Sequence, residues 1–254
     1  MKSAFTFVEL VVVLAVMAVL THLAVRELSH VRDGKLSSAA DRQLEDIREC
    51  VGGFLADMGR LPRAADGTLG ELWAVPAGAL PYGVREAVST NLCAGVPACS
   101  GVYVPTGWRG PYLRLPIGRS RLRDPWGNPV EAVDSAGLSR ISLTNGFVVA
   151  VAHYGPRAQP GGERRVSVVP ERGATSRLFV TTTSASGAES AFEYAWYGPA
   201  DGLVTGAVVS ASCPGTAVIE GLTPGLRVLR DSNTGAARLI DVKPGDNPIS
   251  IVMP

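Results

Sequence analysis

The first proline of the chain is Pro62, so nothing before it obliges a helix to break. Histidine is scarce. His22, His30 and His153 lie far apart and beside no cysteine cluster, which excludes a zinc site of the usual close ligand spacing. An excess of one charge is also missing: 24 basic against 23 acidic residues leave a net charge of +1, mixed along the chain. That balance carries no electrostatic footprint for nucleic acid. No carboxylate pair or nucleophile with an adjacent base stands out, so the sequence points away from an enzyme. Cysteine is limited to Cys50, Cys93, Cys99 and Cys213. Four cysteines allow three pairings, and an even count suits an oxidising compartment. Cys93 and Cys99 flank the turn-rich Ala-Gly-Val-Pro-Ala and predict a local bridge once the chain is exported. The alternative is buried thiols acting as small hydrophobes, and a Cys50–Cys213 pair stays open.

What the chain has, near its start, is a long apolar run. Leu10 to Leu20 is unbroken, and Thr21-His22 interrupts it only briefly before Leu23-Ala24-Val25. Roughly twenty apolar residues span a bilayer as a helix. Lys2 precedes the run and favours a cytoplasmic N-terminus, whereas Arg26 follows it, so charge alone does not orient it. A secretory signal peptide needs a small-x-small cleavage site, and Thr21-His22-Leu23-Ala24 makes a poor one. A plain anchor fits the length but leaves Glu9 unexplained. A carboxylate in lipid costs about 2.5–3.5 kcal/mol on insertion scales and calls for a partner.

Phe5-Thr6-Phe7-Val8-Glu9-Leu10 resembles the start of mature type IV pilins and pseudopilins. The resemblance implies cleavage between Ala4 and Phe5 by a prepilin peptidase, then N-methylation of Phe5. The family usually has Gly before the cut, where this chain has Ala4. Glu9 matches the family glutamate and would neutralise the Phe5 amine of a neighbouring subunit, an attraction that low dielectric strengthens.

Beyond the run, Val25, Leu28, Leu36, Ala40, Leu44, Ile47, Val51, Phe54, Leu55 and Met58 recur at helical spacing, with charged residues between them. One helix of about 80 Å, apolar all round and then one-sided, is predicted over 5–61 with 5–25 in the membrane. Gly34 and Gly52-Gly53 weaken it by about 1 kcal/mol each, enough for a bend or an early end. Gly59 and Pro62 are stop signals. Gly67 to Leu72 reads as a short helix ending at Pro76, and residues 76–105 as an irregular, Gly- and Pro-rich surface excursion.

Two denser strings follow. Trp108-Arg109-Gly110-Pro111-Tyr112-Leu113 and Asp124-Pro125-Trp126-Gly127-Asn128-Pro129 combine turn chemistry with two Trp side chains expected to pack on the long helix. They read as packed turns, not as a catalytic site. With the prepilin-like start they resemble the major pseudopilin of type II secretion, in the same order, over residues 5–163. Leu61 stands where that pattern has Tyr, and the Gly-rich stretch from Tyr154 to Glu163 looks like its closing loop. The resemblance implies calcium held there by oxygen ligands. Arg157 occupies the place of an expected Asp, leaving Asp134, Ser135 and Glu163 as oxygen donors, so no cofactor is expected.

From about Arg165, strand-like runs at 177–183, 191–197, 203–210, 216–220, 226–230, 237–242 and 249–252 alternate with turn signals, as in a small all-β sandwich. The expected fold is therefore α+β. A leader (1–4) precedes a long helix (5–61), a pseudopilin-type head (62–164) and a β-sandwich-like domain (165–254). The resemblance implies a single-pass protein of a bacterial inner membrane with a periplasmic C-terminus. Its partners would be itself and other pilin-like subunits, the peptidase, and an inner-membrane assembly platform with a cytoplasmic ATPase. The rivals are a minor tip pilin whose β domain binds a surface or secreted substrate, and a membrane-tethered enzyme.

Overall fold

The computed structural model describes residues 7–63, 68–87, 101–134, 148–155, 164–168, 176–184, 190–232 and 234–253. The chain is α+β: one long helix followed by β-strands that include a β-rich domain. Helix α1 (Phe7–Met58) runs unbroken for 52 residues, through Gly34 and Gly52-Gly53. Its second half buries Ala40, Leu44, Ile47, Val51, Phe54 and Met58 at alternating spacings of four and three, with Leu55 buried beside them. It stops three residues before the expected Leu61. Gly59 takes φ +72° and its N–H donates to Leu55 O at 2.9 Å, a left-handed helix ending that favours glycine. No basic side chain occupies the last turn. Instead Gly107 N–H donates to Asp57 O at 3.1 Å and Asp201 N–H to Met58 O at 2.9 Å. Backbone donors from distant strands thus satisfy carbonyls that any helix end leaves orphaned.

A 3₁₀ turn at Gly70–Leu72 replaces the short helix expected there. The segment read as an irregular excursion contains two strands, β1 (Gly83–Glu86) and β2 (Tyr103–Thr106), paired antiparallel. Their pairing depends on tertiary support, because the inner side of the ribbon (Val104, with flanking Ala87 and Val102) packs on the β-rich domain. Strands β3 (Glu131–Asp134), β4 (Val148–His153) and β5 (Arg164–Ser167) form an antiparallel sheet in that order. Val130, Ala132, Val148, Val151 and Val168 close one core with the α1 stripe.

The remaining strands are β6 (Ser176–Ser184), β7 (Ser190–Ala200), β8 (Leu203–Cys213), β9 (Gly215–Leu222), β10 (Gly225–Asp231), β11 (Ala237–Val242) and β12 (Asp246–Met253). Each of the seven expected runs falls on one of them. They make a four-stranded sheet, β11-β10-β7-β8, and a three-stranded sheet, β12-β6-β9, in which β12 runs parallel to β6. Leu178, Val180, Ala217 and Ile219 of one sheet share a core with Tyr194, Leu229, Ile240 and Val242 of the other. The four-stranded sheet is covered on both faces, since Ala195, Tyr197, Val204 and Val228 pack on the β1–β2 ribbon. The turn before β8 is only Asp201-Gly202, both at positive φ, the backbone that a two-residue hairpin of this twist demands. Strand β7 therefore continues through Gly198-Pro199, although both residue types favour turns. Pro199 lies beyond the stretch of β7 that pairs with β10, so its missing N–H interrupts no ladder bond there.

Candidate functional site

The surface that sets this molecule apart is the first half of α1. It is long and apolar enough to cross a membrane: its best window has a mean hydropathy of 2.5, and none of that window is buried. Phe7, Leu14, Met17, Val19, Leu20 and Leu23 are all exposed, and so are Leu28 and Val31 just beyond the charged Arg26. Side chains of this size exposed along one face after another need an apolar partner. Glu9 lies in the first turn of α1, where a negative charge complements the helix dipole. Ala4 and Phe5 lie outside the described residues.

The other half of α1 is held by the Trp108–Leu113 string. Gly110-Pro111 brings Tyr112 beneath the helix, where its ring meets Phe54 edge-on at 5.6 Å and Trp108 at 6.1 Å. Gly110 has no room for a side chain, because a Cβ would stand 2.6 Å from the Trp108 ring. Tyr112 O–H donates to Asp57 Oδ2 at 2.9 Å, Arg109 Nε lies 3.0 Å from the same oxygen, and Arg109 N–H donates to Tyr112 Oη at 3.1 Å. Trp108 Nε1–H donates to Glu71 O at 3.0 Å. Burial pushes the Asp57 carboxyl above the ordinary range, with the Tyr112 and Arg109 hydrogen bonds pulling it back. Burial also raises Tyr112.

One turn on, Arg60 joins three parts of the chain. It pairs with Glu71 at 2.7 Å and with Asp201, and its guanidinium lies 5.3 Å from the Phe54 ring centroid. The sequence reading missed Asp57, Arg60, Glu71 and Asp201. A signal existed for Asp57 alone: it is a carboxylate on the apolar stripe beside Phe54 and Met58.

The Asp124–Pro129 string forms a turn organised by a buried carboxylate. Asp124 Oδ1 accepts from Asn128 N–H at 2.7 Å and Trp126 N–H at 3.1 Å, and Asp124 N–H donates to Asn128 O at 2.8 Å. Gly127 takes φ +92° within it, and an isolated bridge joins Arg123 to Pro129. Trp126 does not pack on α1 as expected. Its ring lies over His153 of β4 at 5.5 Å, and it is not among the side chains that pack with Trp108 and Tyr112 on the core around α1. Gln43 Nε2–H, donating to Arg123 O at 2.9 Å, is what ties this turn to α1.

Family models give no match to the chain, and neither do curated proteins. Among solved structures, two of the pilus-presented adhesin Cpa are similar. One is 12% identical over 39% of this chain and 32% of that one, with a TM-score of 0.25. The other, a cysteine-to-alanine variant, is 11% identical over 44% and 35%, with a TM-score of 0.26. This chain thus spans about a third of the length of those structures.

Cys50 and Cys213 are both free. Cys50 Sγ–H donates to Tyr112 O at 2.9 Å, and burial first, then Asp46 and Glu49, raises its thiol. Cys213 is buried at the end of β8. Cys93 and Cys99 lie outside the described residues. Of the calcium candidates, Asp134 ends β3 at an irregularity in the pairing with β4, while Ser135 and Glu163 lie outside. Among the described residues, no cluster of three His, Cys, Asp or Glu side chains could hold a metal.

Proposed function

We propose that this chain is a type IV pilin-like subunit, closest in its motifs to the major pseudopilin of type II secretion, that polymerises from a bacterial inner membrane. The observation carrying this reading is a single unbroken helix whose first half is apolar and wholly uncovered while its second half is the core of a folded α+β body. Such a helix sits in a bilayer before assembly and against its copies afterwards. Cleavage before Phe5 exposes an amine, and Glu9, one turn further on, supplies the charge that neutralises a neighbour's amine. Either charge left alone in lipid costs several kcal/mol.

Intact-mass analysis of membrane-extracted protein tests the processing step. The expected product lacks Met1–Ala4 and carries one added methyl group; a mature protein beginning at Met1, or cut near Ala24, defeats the reading. Glu9→Leu tests the pairing. The variant should be cleaved and membrane-embedded but fail to assemble efficiently, whereas a plain anchor predicts no assembly defect.

A second reading, a minor subunit at a filament tip, is favoured by the β-rich domain, whose outer β12-β6-β9 face carries exposed Val218 and Val252. Copy number separates the two. A major subunit vastly outnumbers its relatives in purified filaments, and a tip subunit does not.

A further inference from the structure

His153 ends β4 and is 4% exposed, its ring 5.5 Å from the Trp126 ring. Its Nδ1 accepts a hydrogen bond from Gly155 N–H at 3.2 Å. That bond fixes the tautomer: the neutral ring carries its proton on Nε2. Gly155 O in turn accepts from Asn128 Nδ2–H at 2.8 Å, and Asn128 N–H is held by Asp124 Oδ1 at 2.7 Å. The same turn reaches α1 through Arg123 O, the acceptor for Gln43. Hydrogen bonds, joined by the backbone of Gly155 and of the 123–128 turn, therefore link one imidazole nitrogen to Gln43 on α1.

We propose that His153 is a proton-operated latch whose neutral form holds the 123–129 turn against the base of α1, and whose protonation at Nδ1 releases that turn. A second proton can enter the ring only at Nδ1. There it points a donor at the Gly155 N–H, another donor, and the bond is lost. The lost bond unpins the peptide before Gly155, and Gly155, at φ +67° with open space where a Cβ would stand, is the joint through which that change reaches its own carbonyl and the Asn128 bond.

The charges facing the ring come from three elements: Asp41 on α1, Asp124 in the turn and Arg164 on β5, with Arg164 Nε itself 2.9 Å from Asp41 Oδ1. The two carboxylates favour the cation and Arg164 opposes it. Burial outweighs them and holds His153 below the usual imidazole range. The sign follows. The latch is fully closed above about pH 6.5, the unfolded value, and its contribution is lost as pH falls through the lower folded value.

Amide hydrogen exchange on the full chain in detergent micelles tests this at about pH 7.5 and about pH 5, corrected for intrinsic rates. Gly127, Asn128 and Gly155 should exchange at least about tenfold faster, relative to the β6 ladder, at the lower pH. His153→Gln keeps an acceptor for Gly155 but does not titrate, so its exchange in this segment should not change with pH. Equal protection at both pH values in the wild type overturns the proposal, and so does an unchanged acid response in His153→Gln. Should that variant fail to fold, the wild type decides by NMR: the Gly155 and Asn128 amide signals should shift with the same midpoint as the His153 ring, and amide signals that do not follow the ring overturn the latch.

Discussion

Asp57 is the one buried polar side chain among the described residues of α1. It is 7% exposed, accepts from Tyr112 and faces Arg109, which is itself 59% exposed. The Arg109 pair contributes little, as solvent-exposed ion pairs do. The Tyr112 bond matters more, because it satisfies a carboxylate that water cannot reach. Tyr112→Phe should cost about 1–3 kcal/mol in chemical denaturation, the usual penalty for unpairing a buried charged group. The same residue predicts a pH effect. A carboxyl raised on folding contributes stability that is present below its unfolded value of about 3.9 and is lost as pH rises through the folded value. Asp57→Asn keeps an acceptor for Tyr112, so its unfolding free energy should lack that component; parallel slopes for the two proteins across acid pH would refute it. Asp57 itself stood out as a carboxylate on the apolar stripe, but its partner did not, because Tyr112 is 55 positions away and only the fold joins them.

Among the elements, legibility followed how local the cause was. The seven strands of the β-rich domain were readable because each is a run of apolar residues closed by its own Gly, Pro, Asp or Asn. The helical stripe from Ala40 was readable for the same reason. The β1–β2 ribbon was not. Its strands are four residues each and pair only because Val104 has a sheet to pack on. The end of α1 depends on two close approaches that were equally invisible. A Cβ on Gly59 would lie 1.9 Å from Pro199 O, and one on Gly225 would lie 2.8 Å from Ala56 O, both at positive φ. Gly59→Ala and Gly225→Ala should each cost at least the roughly 1–3 kcal/mol of a forced left-handed backbone. Thermal unfolding of the two variants checks this, and Gly52→Ala is the control. Gly52 has open space and helical geometry, so there alanine should stabilise by about 1 kcal/mol or less.

At the scale of the whole molecule, the apolar half of α1 and the folded body are separable in their contacts. Among the described side chains the first buried one on α1 is Ala40, so a chain beginning near Lys35 loses none of the core residues described. Such a truncation should be soluble without detergent and unfold at nearly the same temperature as the full chain. A large drop in its unfolding temperature, or persistent aggregation, would mean that the missing half supports the fold as well as anchoring it. The overall plan was legible because hydropathy is a property of long segments. The placement of the β-rich domain was not, since nothing local shows that the Asp201 hairpin tip would meet the last turn of the helix.

That meeting point has a consequence for how force passes through the protein. Met58 O and Asp57 O are held by backbone N–H groups from the β7–β8 hairpin and from the end of β2, and Arg60 clamps Asp201 and Glu71 around them. With no break at Gly34 or Gly52-Gly53, α1 is a stiff rod about 78 Å long at 1.5 Å per residue. A push applied along its axis at the apolar end arrives at the hairpin tip without a hinge to absorb it. It is then spread over two sheets through bonds loaded along their length. A sideways pull meets no such support below Ala40, where the rod stands bare, so bending is confined to the stretch between the apolar segment and the body. The molecule is rigid to thrust and compliant to tilt.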